Sequence, residues 1–270
     1  MKTPAIFTTA PPSSTGLNSA KMYPQRQRGV ALFVVIVFVM LSMLLTLWAS
    51  RTSLFNEIVV GNDADYQRAF EAAQSLLQDA ELDIRGETAD GKPCLTYPCR
   101  AYSTALKFPT EAKDINNLIS TLDGETTKCK DGICTRRRGR QDFWNYDGED
   151  ISTKANTTLG EVPLSDLTKK GIGARYGEYT GAKLGSSSTP INPILSIQDD
   201  PKKGGWYWIE VMPYSEKAKT ANLIVDADTS HLPLNLDVYV VYRITALAYG
   251  MKENTKVVLQ QTYARQRKND

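Results

Sequence analysis

VALFVVIVFVMLSMLLTLWA, residues 30–49, decides the architecture. Its twenty residues carry no charge before Arg51, and they match roughly the length a helix needs to cross a bilayer. A core helix of a globular domain would be shorter and would show a polar face. Lys21, Arg26 and Arg28 precede the run, and the chain beyond it turns acidic at Glu57, Asp63 and Asp65. The positive-inside rule therefore keeps the N-terminus cytoplasmic and sends the large C-terminal part across the membrane. An ordinary secretory signal has its small-residue cleavage site after the apolar stretch. Here Gln27-Arg28-Gly29 abuts the start of that stretch, so a cut after Gly29 leaves the apolar helix on the mature chain.

The run does not end in a turn. It continues through RTSLFNEIVVGNDADYQRAFEAAQSLLQDAELDIRG, where Ala69, Ala73, Leu76, Leu77, Ala80 and Ile84 mark one helical face. The pattern predicts a helix of some fifty residues, with residues 30–49 in the membrane and 50–86 packed on a periplasmic body. A bend is expected at Gly61-Asn62, because glycine weakens a helix interior by about 1 kcal/mol relative to alanine. Gly86 is the expected stop. Residues 87–270 form the globular domain: loops with short helices around Ala112–Leu122 and Leu164–Lys170, then strands at Trp206–Met212, Leu236–Leu247 and Lys256–Tyr263. The last two join through a Gly250-to-Asn254 turn. In the second strand Val238, Val240, Tyr242, Ile244 and Ala246 alternate with Tyr239, Val241, Arg243 and Thr245, as when one sheet face packs inward. The expected class is α+β, one long helix laid on an antiparallel sheet.

Composition supports one globular domain plus an attached segment, with 41% hydrophobic and 23% charged residues. Residues 1–29 hold four basic residues and no acid, so the remainder carries −2. That balance gives no reason to expect nucleic acid. Pro, Ser and Thr dominate residues 1–21, a composition of disorder, and translation from Met22 would leave an eight-residue basic leader. Cys94 with Cys99 and Cys129 with Cys134 form two local pairs, which point to an oxidising compartment. Three connectivities are open, and the two local loops are favoured over the others. Zinc would need tighter cysteine knuckles than these.

Catalytic sets are hard to assemble. His231 is the only histidine, which leaves no histidine-dependent triad to build. No phosphate or dinucleotide fingerprint is present. The acid pairs Asp199/Asp200 and Glu149/Asp150 read as solvated loop residues. Arg136, Arg137, Arg138 and Arg140, beside Phe143, Trp144 and Tyr146, form the dense basic cluster, either a binding patch for acidic surfaces, lipid headgroups or DNA, or an exposed loop after the disulfide. Trp206-Tyr207-Trp208 is either an adhesive patch or a core-filling strand.

Two stretches carry a family resemblance. One is Arg28-Gly29-Val30-Ala31-Leu32, then Gly61-Asn62 and Ala69-Phe70-Glu71-Ala72-Ala73 through Asp79-Ala80-Glu81. The other is the strand pair Val241-Tyr242-Arg243-Ile244-Thr245-Ala246 and Val257-Val258-Leu259-Gln260-Gln261-Thr262-Tyr263. Over about a third of the chain these resemble PilX-type minor pilins. The resemblance implies a pilin-like fold and a part in type IV pilus assembly, in a priming or tip complex with other minor pilins and a PilY-type adhesin. It implies a leader, residues 1–29, that prepilin peptidase removes after Gly29 with methylation of Val30, and storage in inner-membrane lipid. It implies no metal and no cofactor. The sequence departs from major pilins at the fifth mature position, where Val34 replaces their glutamate. A carboxylate in lipid is costly and is kept for a function, so its absence suggests a subunit that docks beneath no other, at the fibre tip. The K-type minor pseudopilin of type II secretion shares this feature and is the runner-up.

Overall fold

The computed structural model describes residues 30–137, 142–146, 162–186, 188–214 and 236–266. Gly29 with the rest of the leader, Arg138, Arg140, Glu149, Asp150 and His231 lie outside them. Helix α1 runs from Val30 to Arg85, and two compact units divide within it, at Asn56–Glu57.

In the first unit, residues 30–56 are helical and every side chain is exposed. In the second unit α1 buries a stripe of Ala69, Ala73, Leu76, Ala80 and Ile84. The helix ends because Gly86 takes φ +68°, a conformation that costs glycine little. Gly86 N–H then donates to Asp83 O at 3.2 Å and Glu87 N–H to Leu82 O at 2.9 Å. Gly61 and Asn62, expected at a bend, are helical instead. The missing side chain of Gly61 leaves room for Lys252 Nζ, which donates to Asn62 Oδ1 at 3.0 Å.

Among the described residues five strands form one sheet in the order β1 (Cys129–Lys130), β2 (Ile133–Thr135), β3 (Gly205–Pro213), β4 (Leu236–Tyr249), β5 (Lys256–Gln266). Only β2 and β3 are parallel; every other pair is antiparallel. The expected α+β, pilin-like arrangement of a long helix on a mostly antiparallel sheet is thus what forms. Helices α2 (Ala112–Gly124) and α3 (Leu164–Leu167) lie in the loop-rich middle, where short helices were expected.

The core has two parts. On the helix face of the sheet, the α1 stripe meets Tyr207, Ile209, Val211, Val240, Tyr242, Ile244 and Ala246. The opposite face is also covered, by Phe143, Val162, Leu164 and Leu167 against Trp206, Trp208 and Leu247. The expectation of a single inward face is therefore too simple: Thr245, from the alternating set opposite it, is buried, and so is Leu247 next along that face. This arrangement rules out the adhesive reading of Trp206-Tyr207-Trp208, because all three are 1% exposed or less. Tyr207 packs toward α1, while the two tryptophans donate their indole N–H groups to Thr168 O and Leu167 O.

Candidate assembly interface

Residues 30–56 present a surface that water does not suit. Exposure of the large apolar side chains runs from 37% at Val37 to 72% at Trp48. An apolar patch of this extent on a single chain marks a surface that lipid or protein covers. Three of its hydroxyls bond back to the helix: Ser42 donates to Phe38 O at 2.7 Å, Thr46 to Met43 O at 2.9 Å and Thr52 to Trp48 O at 3.0 Å. Every backbone group of a helix interior is bonded within the helix, so such a segment can enter hydrocarbon. Val30 and Val34 are both exposed on it, at 67% and 41%. The first carboxylate along α1 is Glu57.

In the second unit three buried aspartates of α1 each hold one loop. Asp65 accepts the N–H groups of Met251 at 2.8 Å and Lys252 at 3.1 Å, which fastens the β4–β5 turn to the helix. A side chain at Gly250 would clash with Asp65 Oδ2, so glycine is needed there. Burial works against the Asp65 charge, but the hydrogen bonds from Thr255, Met251 and Lys252 outweigh it and hold the carboxyl below its ordinary range. Asp79 accepts Gly177 N–H at 2.7 Å and the Thr180 hydroxyl. Here burial wins, with Asp83 and Glu178 adding like charge, and the carboxyl is pushed up to about 7 despite those two donors. Asp83 takes the Arg100 guanidinium in bidentate fashion, at 2.7 and 2.6 Å, and the Tyr207 hydroxyl at 3.0 Å.

The cysteines are joined as two local loops, Cys94–Cys99 and Cys129–Cys134. The first sits directly before Arg100 and the second closes the β1–β2 turn, where Cys129 and Cys134 are register partners. Arg100, held by Asp83, links the two: it directly follows Cys99 and donates to Asp131 O at 2.9 Å, within the second loop.

A family model described as type IV pilus assembly protein PilX C-term matches residues 130–265, half the chain, and one described as PilX N-terminal matches residues 28–78. The chain belongs to the PilX family. No curated protein and no solved structure matches it. The N-terminal match takes in the apolar surface and Asp65, and the C-terminal match takes in the sheet from β1's second residue to β5. Asp79, Asp83, the Cys94–Cys99 loop, Arg100 and α2 fall between the two matches. This PilX-family chain is a type IV pilus assembly protein of the minor-pilin kind.

The basic cluster is not a run of equivalent side chains. Arg136 is exposed, but Arg137 is buried, its guanidinium 3.9 Å from the Phe143 ring centroid and its backbone N–H donating to Glu210 Oε1 at 2.8 Å. Burial lowers the Arg137 pKa to about 10, with the nearby Arg243 adding to that and Glu210 opposing it. Arg137 is therefore a packing residue and not part of a surface patch. Glu210 in turn accepts Arg243 across the β3–β4 pair at 2.6 and 2.8 Å. Asp200 sits in a turn, accepting Lys202 N–H at 2.8 Å.

Sequence reasoning missed Asp65, Asp79, Asp83 and Arg100. A signal was present: Asp65, Ala69, Ala72, Leu76, Asp79 and Asp83 advance by four, three, four, three and four residues, so the acids stand on the apolar stripe itself. An acid at a core position requires a buried partner.

Proposed function

We propose that this chain is a minor pilin that primes pilus assembly as part of a complex with other minor pilins and a PilY-type adhesin, and that it stands at or near the fibre tip. Prepilin peptidase cuts the leader after Gly29 and methylates the new N-terminus at Val30. Before assembly, residues 30–49 anchor the chain in the inner membrane with its C-terminal domain in the periplasm, where both disulfides can form. After extraction the same apolar surface packs among other helices in the fibre.

The observation that carries this reading is the exposed, carboxylate-free helix surface of residues 30–56 on a chain of the PilX family. In major pilins, as the resemblance has it, the glutamate at the fifth mature position can pair with the N-terminal amine of a neighbouring subunit; Val34 cannot supply that carboxylate. The test is intact mass and N-terminal sequence of the cell-derived protein, with and without prepilin peptidase. A chain starting at N-methylated Val30 is the expected result. Retention of residues 1–29, or a cut beyond Ala49, would remove the pilin reading.

Val34 also favours the K-type pseudopilin of type II secretion as a second reading. Deletion of the chain separates the two: loss of surface pili with secretion intact supports the first, and the converse supports the second.

A further inference from the structure

Asp79 and Asp83 stand one turn apart on α1, 1% and 3% exposed, and among the described residues a single cation is bonded to the pair. That cation is Arg100, whose fork goes to Asp83 and which also donates to Leu106 O and Asp131 O. Asp79 has two neutral donors instead, Gly177 N–H and the Thr180 hydroxyl. The other groups that face it bring no positive charge: Asp83 on α1, Tyr176 and Glu178 from the loop, and the Tyr207 hydroxyl from β3. Arg175 commits its guanidinium to Ile197 O, Asp200 O and Lys203 O. Ionising Asp79 there leaves a buried charge uncompensated, which is why burial, helped by Asp83 and Glu178, pushes its carboxyl up to about 7.

The cover over Asp79 is one loop thick. Gly181 is exposed and Gly177, Glu178 and Ala182 are half-buried, while Thr180 beneath them is 1% exposed. Two glycines bracket the buried part, Gly177 at φ +74° and Gly181 at φ +71°, where a residue with a Cβ would be strained. Gly181 N–H donates to Gly177 O at 3.1 Å and closes the loop on itself. Between the glycines, Tyr179 lays its ring 3.8 Å from the Arg100 guanidinium and accepts Arg100 N–H on its carbonyl at 3.1 Å. Thr180 O lies 3.6 Å from Cys94 Sγ. One short loop thus caps Asp79, the Asp83–Arg100 pair and the Cys94–Cys99 disulfide.

A carboxyl that is neutral under a closed loop and ionises in water couples the two events. Opening the loop hydrates Asp79 and releases its proton, so rising pH favours the open form. The closed form has its full advantage below about pH 4, the ordinary carboxylate range, and loses it progressively up to about pH 7. Above that Asp79 is ionised in both forms and the balance no longer moves.

We propose that residues 177–182 form a pH-operated lid: neutral Asp79 keeps it shut, and ionised Asp79 lets it swing on Gly177 and Gly181 to uncover Arg100 and the Cys94–Cys99 loop. The two glycines supply the hinge, and the single guanidinium shared by two buried acids supplies the drive. Every group involved lies in the second unit, so the lid does not depend on where the chain stands in the fibre.

Amide-resolved hydrogen exchange on the full chain in detergent, corrected for intrinsic rates and run from about pH 5 to pH 8, tests it. The Gly177 and Gly181 amides are both hydrogen-bonded in the closed loop. Their opening constant is expected to rise about tenfold per pH unit from pH 5 to pH 7 and to level off above. At every pH they should open about tenfold more often, or more, than the Ile209 amide, which bonds Gly132 O beside the sheet. Equal opening at all three amides means that only unfolding of the whole unit reaches Asp79, and overturns the lid. An opening constant at Gly177 and Gly181 that ignores pH overturns it too.

Asp79→Asn keeps an acceptor for Gly177 N–H and removes the titrating group. The same exchange profile in this variant is expected to be flat from pH 5 to pH 8 at Gly177 and Gly181. A slope as steep as the wild type's assigns the proton to another group and overturns the proposal. The wild-type profile decides by itself should the variant not fold.

Discussion

Asp83 on α1 and Arg100, seventeen residues further on, form a bidentate ion pair with both side chains buried, at 2.7 and 2.6 Å. The pair is stitched into its surroundings. Tyr207 adds its hydroxyl to the carboxylate, Leu106 O and Asp131 O accept from the guanidinium at 2.9 Å each, and the guanidinium lies 3.8 Å from the Tyr179 ring centroid. Removing one partner strands a buried charge, so Arg100→Met is expected to destabilise by about 3–5 kcal/mol. The double variant Asp83→Leu/Arg100→Met should lose less than the sum of the single losses. Urea unfolding of the full chain in detergent, run as a double-mutant cycle, measures both.

Asp79 makes stability fall as pH rises. Its folded pKa of about 7 exceeds the ordinary carboxylate value, so folding takes up a proton between about pH 4 and pH 7. The contribution is full below that window and is lost through it, on the order of 4 kcal/mol. Asp65 has the opposite sign: its lowered pKa adds stability above the ordinary carboxylate range that is lost as pH falls. Asp79→Asn is expected to flatten the loss between pH 5 and pH 8 while keeping the acid-side loss. Unfolding curves across that range decide, and an unchanged slope would count against the assignment.

Arg136 and Arg137 should behave differently. Arg136→Ala removes an exposed side chain and is expected to shift stability by no more than about 0.5 kcal/mol. Arg137→Ala opens space against Phe143 and should cost about 2 kcal/mol. Equal effects in thermal melts would contradict the packing role of Arg137.

The disulfide Cys129–Cys134 closes a short loop, for which chain entropy gives a stabilisation of roughly 2 kcal/mol. Cys129→Ser/Cys134→Ser should lose that amount, and the loss should reach Arg137, whose guanidinium lies 3.6 Å from Cys129 Sγ. Combining it with Arg137→Ala is therefore expected to give a loss smaller than the sum, read by the same unfolding assay.

Val34→Glu supplies a carboxylate at the fifth mature position, within the stretch 30–56 that has none. On the tip reading proposed above, the variant is expected to enter the shaft of the fibre, as seen by immunogold labelling. Labelling with the same distribution as the wild-type chain would argue against a positional role for this residue.

The sequence by itself determined the helix and the hairpin. An uncharged run long enough to span a bilayer, a 3.6-residue stripe that follows it and a period-two alternation around a Gly250-to-Asn254 turn are local patterns, and local patterns survive without knowledge of the fold. The tertiary structure decided the polar interior. Asp65, Asp79 and Asp83 have partners at residues 251–252, 177–180 and 100, and only folding brings these together. It also decided that Trp206 and Trp208 are core and that Arg137 leaves the surface, because a second layer covers the far sheet face. The strand order of the described sheet belongs to the same class of fact, because it is a long-range property that the residues of no one strand contain.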